Sequence, residues 1–236
     1  DVASGQAALH LVSAWASENG IALGQLKVEG KSNEITALPA LLKLLDVQGQ
    51  VVTMDAMGCQ KELAGQILDQ QGDYVLCVKG NQGNLHQEVQ YFFAEAKKMG
   101  WRDVPHRYHE TVEKDHGRIE IRRCWMVEQV GVEWLAREDQ WPGLASLAAI
   151  EGERRIGQQV TKETRYFISS LRGSVKSLAE AARQHWGIEN SLAWVLDVTM
   201  NEDRSRIRKD HAPGNLALLR RIALNLIKKA QLPKSS

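Results

Sequence analysis

Two acidic residues in this 236-residue chain carry the pattern most suggestive of chemistry. Asp55 ends the apolar run Val51-Val52-Thr53-Met54, and Glu189 lies within the aromatic, apolar segment His185-Trp186-Gly187-Ile188-Glu189-Asn190. A carboxylate at the C-terminal tip of a buried parallel strand stands where α/β sheets expose functional groups. Paired with a second on a distant helix, it is the raw material of a metal-dependent phosphoryl-transfer site. Each residue also has a plainer reading. Asp55 suits the N-cap of a helix starting around Gly58. Glu189 is four residues from His185, within reach of an intrahelical bond, or points to solvent. A glutamate buried in such a segment costs several kcal/mol unless paired or metal-bound.

Two carboxylates hold two divalent ions poorly, because Mg2+ or Mn2+ takes a full shell of oxygen ligands. A third acid is expected. Asp197, in Leu196-Asp197-Val198, falls eight residues after Glu189 on roughly the same helix side, and Asp203 follows in Asn201-Glu202-Asp203-Arg204. Both also suit helix ends and turns. Lys79-Gly80-Asn81-Gln82 is placed to meet a phosphate but lacks a phosphate-cradling loop pattern. His106, His109 and His116 have no zinc-ligand spacing from any cysteine and read as surface or core histidines. Trp186 and Trp194 read as core. No serine or cysteine triad is visible.

The elements that would carry these residues follow from periodicity. Residues 8–15 and 21–28 read as strands joined by Ser17-Glu18-Asn19-Gly20, a hairpin turn. A helix starts near Ser32-Asn33-Glu34, with Leu38, Leu41, Leu42 and Leu45 at helical spacing and Pro39 either near its start or at a kink. Val51–Asp55 reads as a central buried strand, Gly58–Gln71 as a helix on Leu63, Ile67 and Leu68, and Tyr74–Val78 as a second buried strand. That run is a βαβ unit with neighbouring parallel strands. A helix over Gly83–Met99 is built on Leu85, Val89, Phe92 and Phe93. Residues 107–127 then alternate, as antiparallel strands do, and a further strand pair spans 146–169. Helix returns from Val175 to about Leu196. A last helix after Pro213 carries Leu216, Leu219, Ala223, Leu226 and Ile227 as its apolar stripe. The expected fold is α/β: a mixed sheet flanked by helices, with a β-rich insertion at 103–170.

Composition is that of a soluble globular chain, with no apolar stretch of membrane-spanning length and no signal peptide. Cys59, Cys77 and Cys124 are scattered and odd in number, which fits reduced core thiols and a cytoplasmic compartment. Net charge is +1, yet from Arg204 onward nine Lys/Arg face one acid. Such a tail suits either a polyanion or an acidic face of the chain itself.

The separated segments Ala8–Trp15, Lys31-Ser32-Asn33-Glu34-Ile35, Asp55-Ala56-Met57-Gly58-Cys59-Gln60, Tyr74-Val75-Leu76 with Lys79–Gln82, and His185–Arg208 occur together in one order. In this combination the chain resembles the DDE transposases of bacterial insertion sequences, specifically the ISAs-type group that includes the H-repeat-associated proteins. The resemblance implies a single ribonuclease-H-like catalytic domain over residues 1–236. It implies Asp55 and Glu189 as catalytic and metal-binding acids and Mg2+ or Mn2+ as cofactor, with Asp197 the candidate third ligand that its spacing offers. DNA is then the partner, with Lys79, Asn81, His185, Arg204, Arg206 and Arg208 as contact candidates. Assembly as a homodimer on paired DNA ends, without membrane association, follows by analogy.

Two departures stand out. The family's first aspartate belongs to an opening strand in an Asp-Gly-Lys-Thr context, whereas this chain opens Asp1-Val2-Ala3-Ser4-Gly5. The pattern also has histidine where Ala193 stands. An incomplete triad, an N-terminally incomplete domain and impaired transposition are therefore expected. The competing readings are a catalytically inactive DNA-binding or assembly remnant and a nuclease of the same fold with another purpose.

Overall fold

The computed structural model describes residues 10–28, 34–115, 117–128 and 141–230. The elements in chain order are β1 (Leu11–Ala16), β2 (Ile21–Lys27), α1 (Glu34–Lys43), β3 (Val51–Met54), α2 (Lys61–Asp69), β4 (Asp73–Val78) and α3 (Asn84–Lys98). They continue with β5 (Arg107–Asp115), β6 (Arg118–Glu128), β7 (Ser146–Ile156), β8 (Gln159–Ser169), α4 (Val175–His185) and α5 (Ala212–Lys229). Residues 1–5, Ala8, Leu9, Lys31-Ser32-Asn33 and His116, named above, lie outside the described residues. The chain divides into two compact units, Asp1–Asp46 with Arg183–Ser236, and Val47–Ala182.

In the first unit β1 and β2 pair antiparallel around the Ser17–Gly20 turn, which Gly20 closes at positive φ, donating to Ala16 O at 2.8 Å. α1 packs on this hairpin. It begins at Glu34 and runs through Pro39, burying Ala37, Leu41 and Leu42, so apolar burial outweighs the one lost helix bond. Helical winding continues past α4, but over Glu189–Ala193 and Val195–Thr199 it widens to π turns. Trp194 N donates to Glu189 O and Met200 N to Val195 O, both i→i+5. Leu192 and Leu196 from these turns join Ala22 and Leu224 in a small core, against which Trp15 and Ile188 pack.

α5 corrects the expected stripe. Its buried residues are Ala217, Arg221 and Leu224, whereas Leu219, Ala223, Leu226 and Ile227 are exposed. The inward polar side chains explain this. Asn225 behaves as a strand segment, with Oδ1 accepting from Ala22 N and Nδ2 donating to Ala22 O, both at 2.8 Å. These bonds turn the polar side of α5 onto β2.

In the second unit six strands form one mixed sheet in the order β3-β4-β8-β7-β6-β5. β3 and β4 pair parallel across α2, as the βαβ reading requires. β4 pairs antiparallel with β8, and the remaining pairs are antiparallel, so β5–β8 extend the same sheet. β4 is buried on both faces: Val75 and Cys77 join Cys124, Met126, Ala148 and Phe167 under Leu178 and Ala182 of α4, while Tyr74, Leu76 and Val78 are buried on the other side. The central placement expected for β3 is corrected. Among the described residues it is an edge strand, with β5 at the opposite edge, and Val51 is exposed. The three cysteines are free and buried, and burial pushes the thiols of Cys59 and Cys124 up to about 12, as inert core groups.

Glu153 on β7 is nearly fully buried and carries the ion pairs of the sheet's charged face. It pairs with Lys162 directly opposite on β8 at 3.2 Å and with Arg123 of β6 at 2.9 Å, and it also meets Arg155. Hydrogen bonds from Arg123 and Arg155 hold its carboxyl at about 2, below the ordinary 4.5. A depressed carboxyl stabilises the fold above its unfolded value, and this contribution is lost as pH falls from 4.5 towards 2. Glu153→Gln should therefore lower the melting temperature at pH 7 and remove the acid-dependent loss in that window, as thermal melts across pH will read.

Candidate active site

Asp55 follows β3, at the C-terminal end of the parallel pair, and its carboxylate is exposed. Oδ1 accepts from the backbone N–H of Met57 at 3.1 Å and Gly58 at 3.3 Å. It therefore caps the turn before α2 rather than α2 itself, which starts later at Lys61. Gly58 is required there by space: a Cβ would lie 2.8 Å from Met54 Cβ. The Lys79–Gln82 segment closes the loop from the next strand. Asn81 Nδ2 donates to Ala56 O at 2.7 Å, and Gln82 Nε2 to Ala56 O at 2.9 Å and Cys59 O at 3.0 Å. Gln82 Oε1 accepts from Lys79 N at 3.3 Å. Asn81 thus spends its amide on the loop bearing Asp55, and Gln82, read from the sequence only as part of a phosphate-meeting run, does most of the fastening. The Lys79-Gly80-Asn81-Gln82 run was visible in the sequence, but its carbonyl targets 23 to 26 residues away were not. Lys79 itself is exposed.

Glu189 opens the first π turn and is exposed, which is the solvent-facing alternative of the sequence reading. The π winding breaks the expected four-residue alignment of His185, Glu189 and Ala193. His185 is half-buried at the end of α4, and Trp194 is exposed rather than core. Lys228 of α5 secures the segment: its Nζ donates to Ser191 O at 3.0 Å and lies 4.2 Å from the Trp15 ring centroid. Burial holds the Lys228 ammonium below its ordinary pKa.

Within this unit a cavity of about 420 Å³ is lined by Glu189, Asp197, Glu202, Asp203, Arg208 and Arg221, among others. Arg221 is buried, donating from Nη1 to Glu202 Oε1 at 3.0 Å and Ala217 O at 3.1 Å and from Nε to Ser13 Oγ at 3.3 Å. Asp197 is half-buried; burial first, then Asp203 and Glu202, raise its carboxyl above the ordinary range, with Arg221 opposing. Of the tail arginines, Arg204 and Arg206 are exposed, while Arg208 donates to Ser205 O at 2.7 Å and Ile207 O at 2.8 Å, bracing its own loop. Glu189 and Asp197 thus share a cavity, and Asp55 belongs to the other unit.

Three outcomes follow from this geometry. Gln82→Ala leaves Cys59 O without this donor, while Ala56 O keeps Asn81, and should cost about 1 kcal/mol, with faster exchange of the Met57 and Gly58 amides. Lys228→Met should cost about 1 kcal/mol and change Trp15 fluorescence. A raised carboxyl favours the fold below its unfolded value of 3.8 and loses that benefit as pH rises through the raised value. Asp197→Asn should therefore raise the melting temperature in metal-free buffer at pH 7 and have little effect near pH 3, as calorimetry will show.

Comparison with known proteins gives the context for these acids. The family model described as the transposase DDE domain matches residues 2–226. "Putative transposase YncI" of Escherichia coli O157:H7 is 44% identical over 224 residues, covering 94% of this chain and 56% of that protein. "H repeat-associated putative transposase YhhI" of Escherichia coli strain K12 is 40% identical over 224 residues, covering 93% of this chain and 58% of that protein. The chain therefore spans little more than half the length of these relatives. Taken with the mixed sheet and the acid at its parallel edge, the match over nearly the whole chain establishes that this protein belongs to the DDE transposase domain family.

Proposed function

We propose that the chain is the part of an insertion-sequence transposase that performs metal-dependent phosphodiester cleavage and strand transfer, on a ribonuclease-H-like fold. The observation that carries this reading is the exposed Asp55 carboxylate at the end of a parallel β3–β4 pair, on a loop braced by Asn81 and Gln82. A catalytic acid needs such a fixed backbone, because orientation supplies much of a phosphoryl-transfer rate. Glu189 is the second acid, on a π turn of the kind that recurs at functional sites.

The donors fit a hard divalent cation in kind. Asp55 and Glu189 are exposed carboxylates in no ion pair among the described residues, and oxygen is what Mg2+ or Mn2+ prefers. In number they fall short alone: among the described residues no three His, Cys, Asp or Glu side chains group as a metal holder. Asp55 and Glu189 are the metal-binding acids of this reading, with Asp197 a candidate third, and water and phosphate oxygens would supply the other positions. When bound, it would activate a water or 3′-hydroxyl and neutralise charge on the phosphate. Arg204 and Arg206 are exposed and in no ion pair among the described residues, so they would meet DNA phosphates; His185 lies four residues before Glu189, Lys79 opens the segment that braces the Asp55 loop, and Asn81 and Arg208 act chiefly by holding their loops. The assembly on DNA is a homodimer, and the setting is the cytoplasm. Among the described residues no helix is long and apolar enough to cross a membrane.

A second reading is a DNA-binding remnant of the same fold without catalysis. Metal dependence separates the two. With supercoiled DNA bearing paired element ends, the first reading expects Mg2+- or Mn2+-dependent nicking that Asp55→Ala or Glu189→Ala reduces at least 100-fold while DNA binding persists. Binding with no nicking in either metal selects the second. Joint replacement of Arg204 and Arg206 by alanine should weaken binding on all sequences alike and reduce the salt slope by about 2. Absence of any DNA binding overturns both.

A further inference from the structure

The outer face of α5 combines Leu218, Leu219, Ile222, Leu226 and Ile227, each 44% to 64% exposed. A helix that buries Arg221 and turns half-buried Asn225 and Lys228 inward, while presenting five large aliphatic side chains to solvent, inverts the usual amphipathic arrangement. From those exposures the face amounts to roughly 500 Å² per copy, so two such faces together reach the ~1,000 Å² that a specific interface needs. Its pattern is self-complementary. Leu218 and Leu226 lie four residues to either side of Ile222. A two-fold axis at Ile222 sets Leu218 of one antiparallel helix against Leu226 of the other, and Ile222 against itself.

Charge selects the direction. α5 holds Arg220, Arg221, Lys228 and Lys229 and no acid. Glu202 offsets both arginines, at 3.8 Å from Arg220 and 3.0 Å from Arg221. A parallel pairing would stack the Lys228-Lys229 ends of two copies, whereas an antiparallel one keeps them at opposite ends beside neutral Asn215. We infer that the outer face of α5 is an interface with a second copy of this chain, packed antiparallel about Ile222. This extends the copy-on-copy assembly of the proposed function, but it requires neither DNA nor metal, so it is tested without them.

The test is sedimentation of the chain at about 10–100 μM in DNA-free, metal-free buffer. The expected result is a dimer that Ile222→Glu or Leu226→Lys converts to monomer, weakening association at least 100-fold. The circular dichroism spectrum should be unchanged, since both side chains are solvent-exposed in the single chain, while melting falls by the stabilisation that association supplied. Under mild oxidation Ile222→Cys should give a covalent dimer, because the native thiols are buried, while Leu44→Cys, on another exposed position, should not. A wild-type monomer at these concentrations, a dimer that survives Ile222→Glu, or a failure of Ile222→Cys to cross-link overturns the proposal. In the first two cases the face belongs to another occupant, such as the part of the relatives' length that this chain does not span. DNA binding or nicking is unaffected by that outcome, so the proposed function stands or falls separately.

Discussion

A guanidinium removed from water needs an acceptor for its donors and a counter-charge, and Arg221 finds both. Glu202 supplies the charge, Ala217 O and Ser13 Oγ the remaining bonds. These partners come from α5 itself, from β1 and from the turn after the π segments, so one side chain ties three parts of its unit. Asn225 and Lys228 lie four and seven residues further on, along the same helical stripe. One pairs with the backbone of β2 and the other with a carbonyl in the turn that carries Glu189. The orientation of α5 follows from satisfying these polar groups, and the exposed aliphatic face is its consequence.

The second unit solves a related problem at the tip of β3. A loop that displays a carboxylate must leave its own carbonyls satisfied, or it will be neither stable nor well placed. Two side-chain amides from the segment after β4 supply those donors, while Asp55 Oδ1 closes the turn from within. β4 is suited to anchor this arrangement because it is covered on both faces and flanked by strands on both edges.

Two carboxylates illustrate how environment separates structure from chemistry. Glu153 is nearly buried yet surrounded by Arg123, Arg155 and Lys162, so its charge is stabilised and its carboxyl is driven down. Asp197 faces Asp203 and Glu202 beside a cavity, and its carboxyl is driven up. Only the latter has a charge that a further cation would relieve, which is why it remains a ligand candidate.

The sequence by itself determined the hairpin, the βαβ unit, the antiparallel strands and the terminal helix, because period and turn chemistry are local properties that burial reinforces. It also determined the family, through separated motifs in one order. Tertiary structure decided which side of α5 is buried. The apolar stripe read from spacing faces outward, since Arg221, Asn225 and Lys228 find partners far away in sequence, at separations of up to 208 residues. It decided the π winding around Glu189, which no residue pattern announced, and the edge place of β3 among the described strands, since strand order depends on pairing partners rather than on a strand's own composition. The role of Gln82 was hidden for the same reason: a hydrogen bond across 26 residues exists only once the strands have brought its donor and acceptor together.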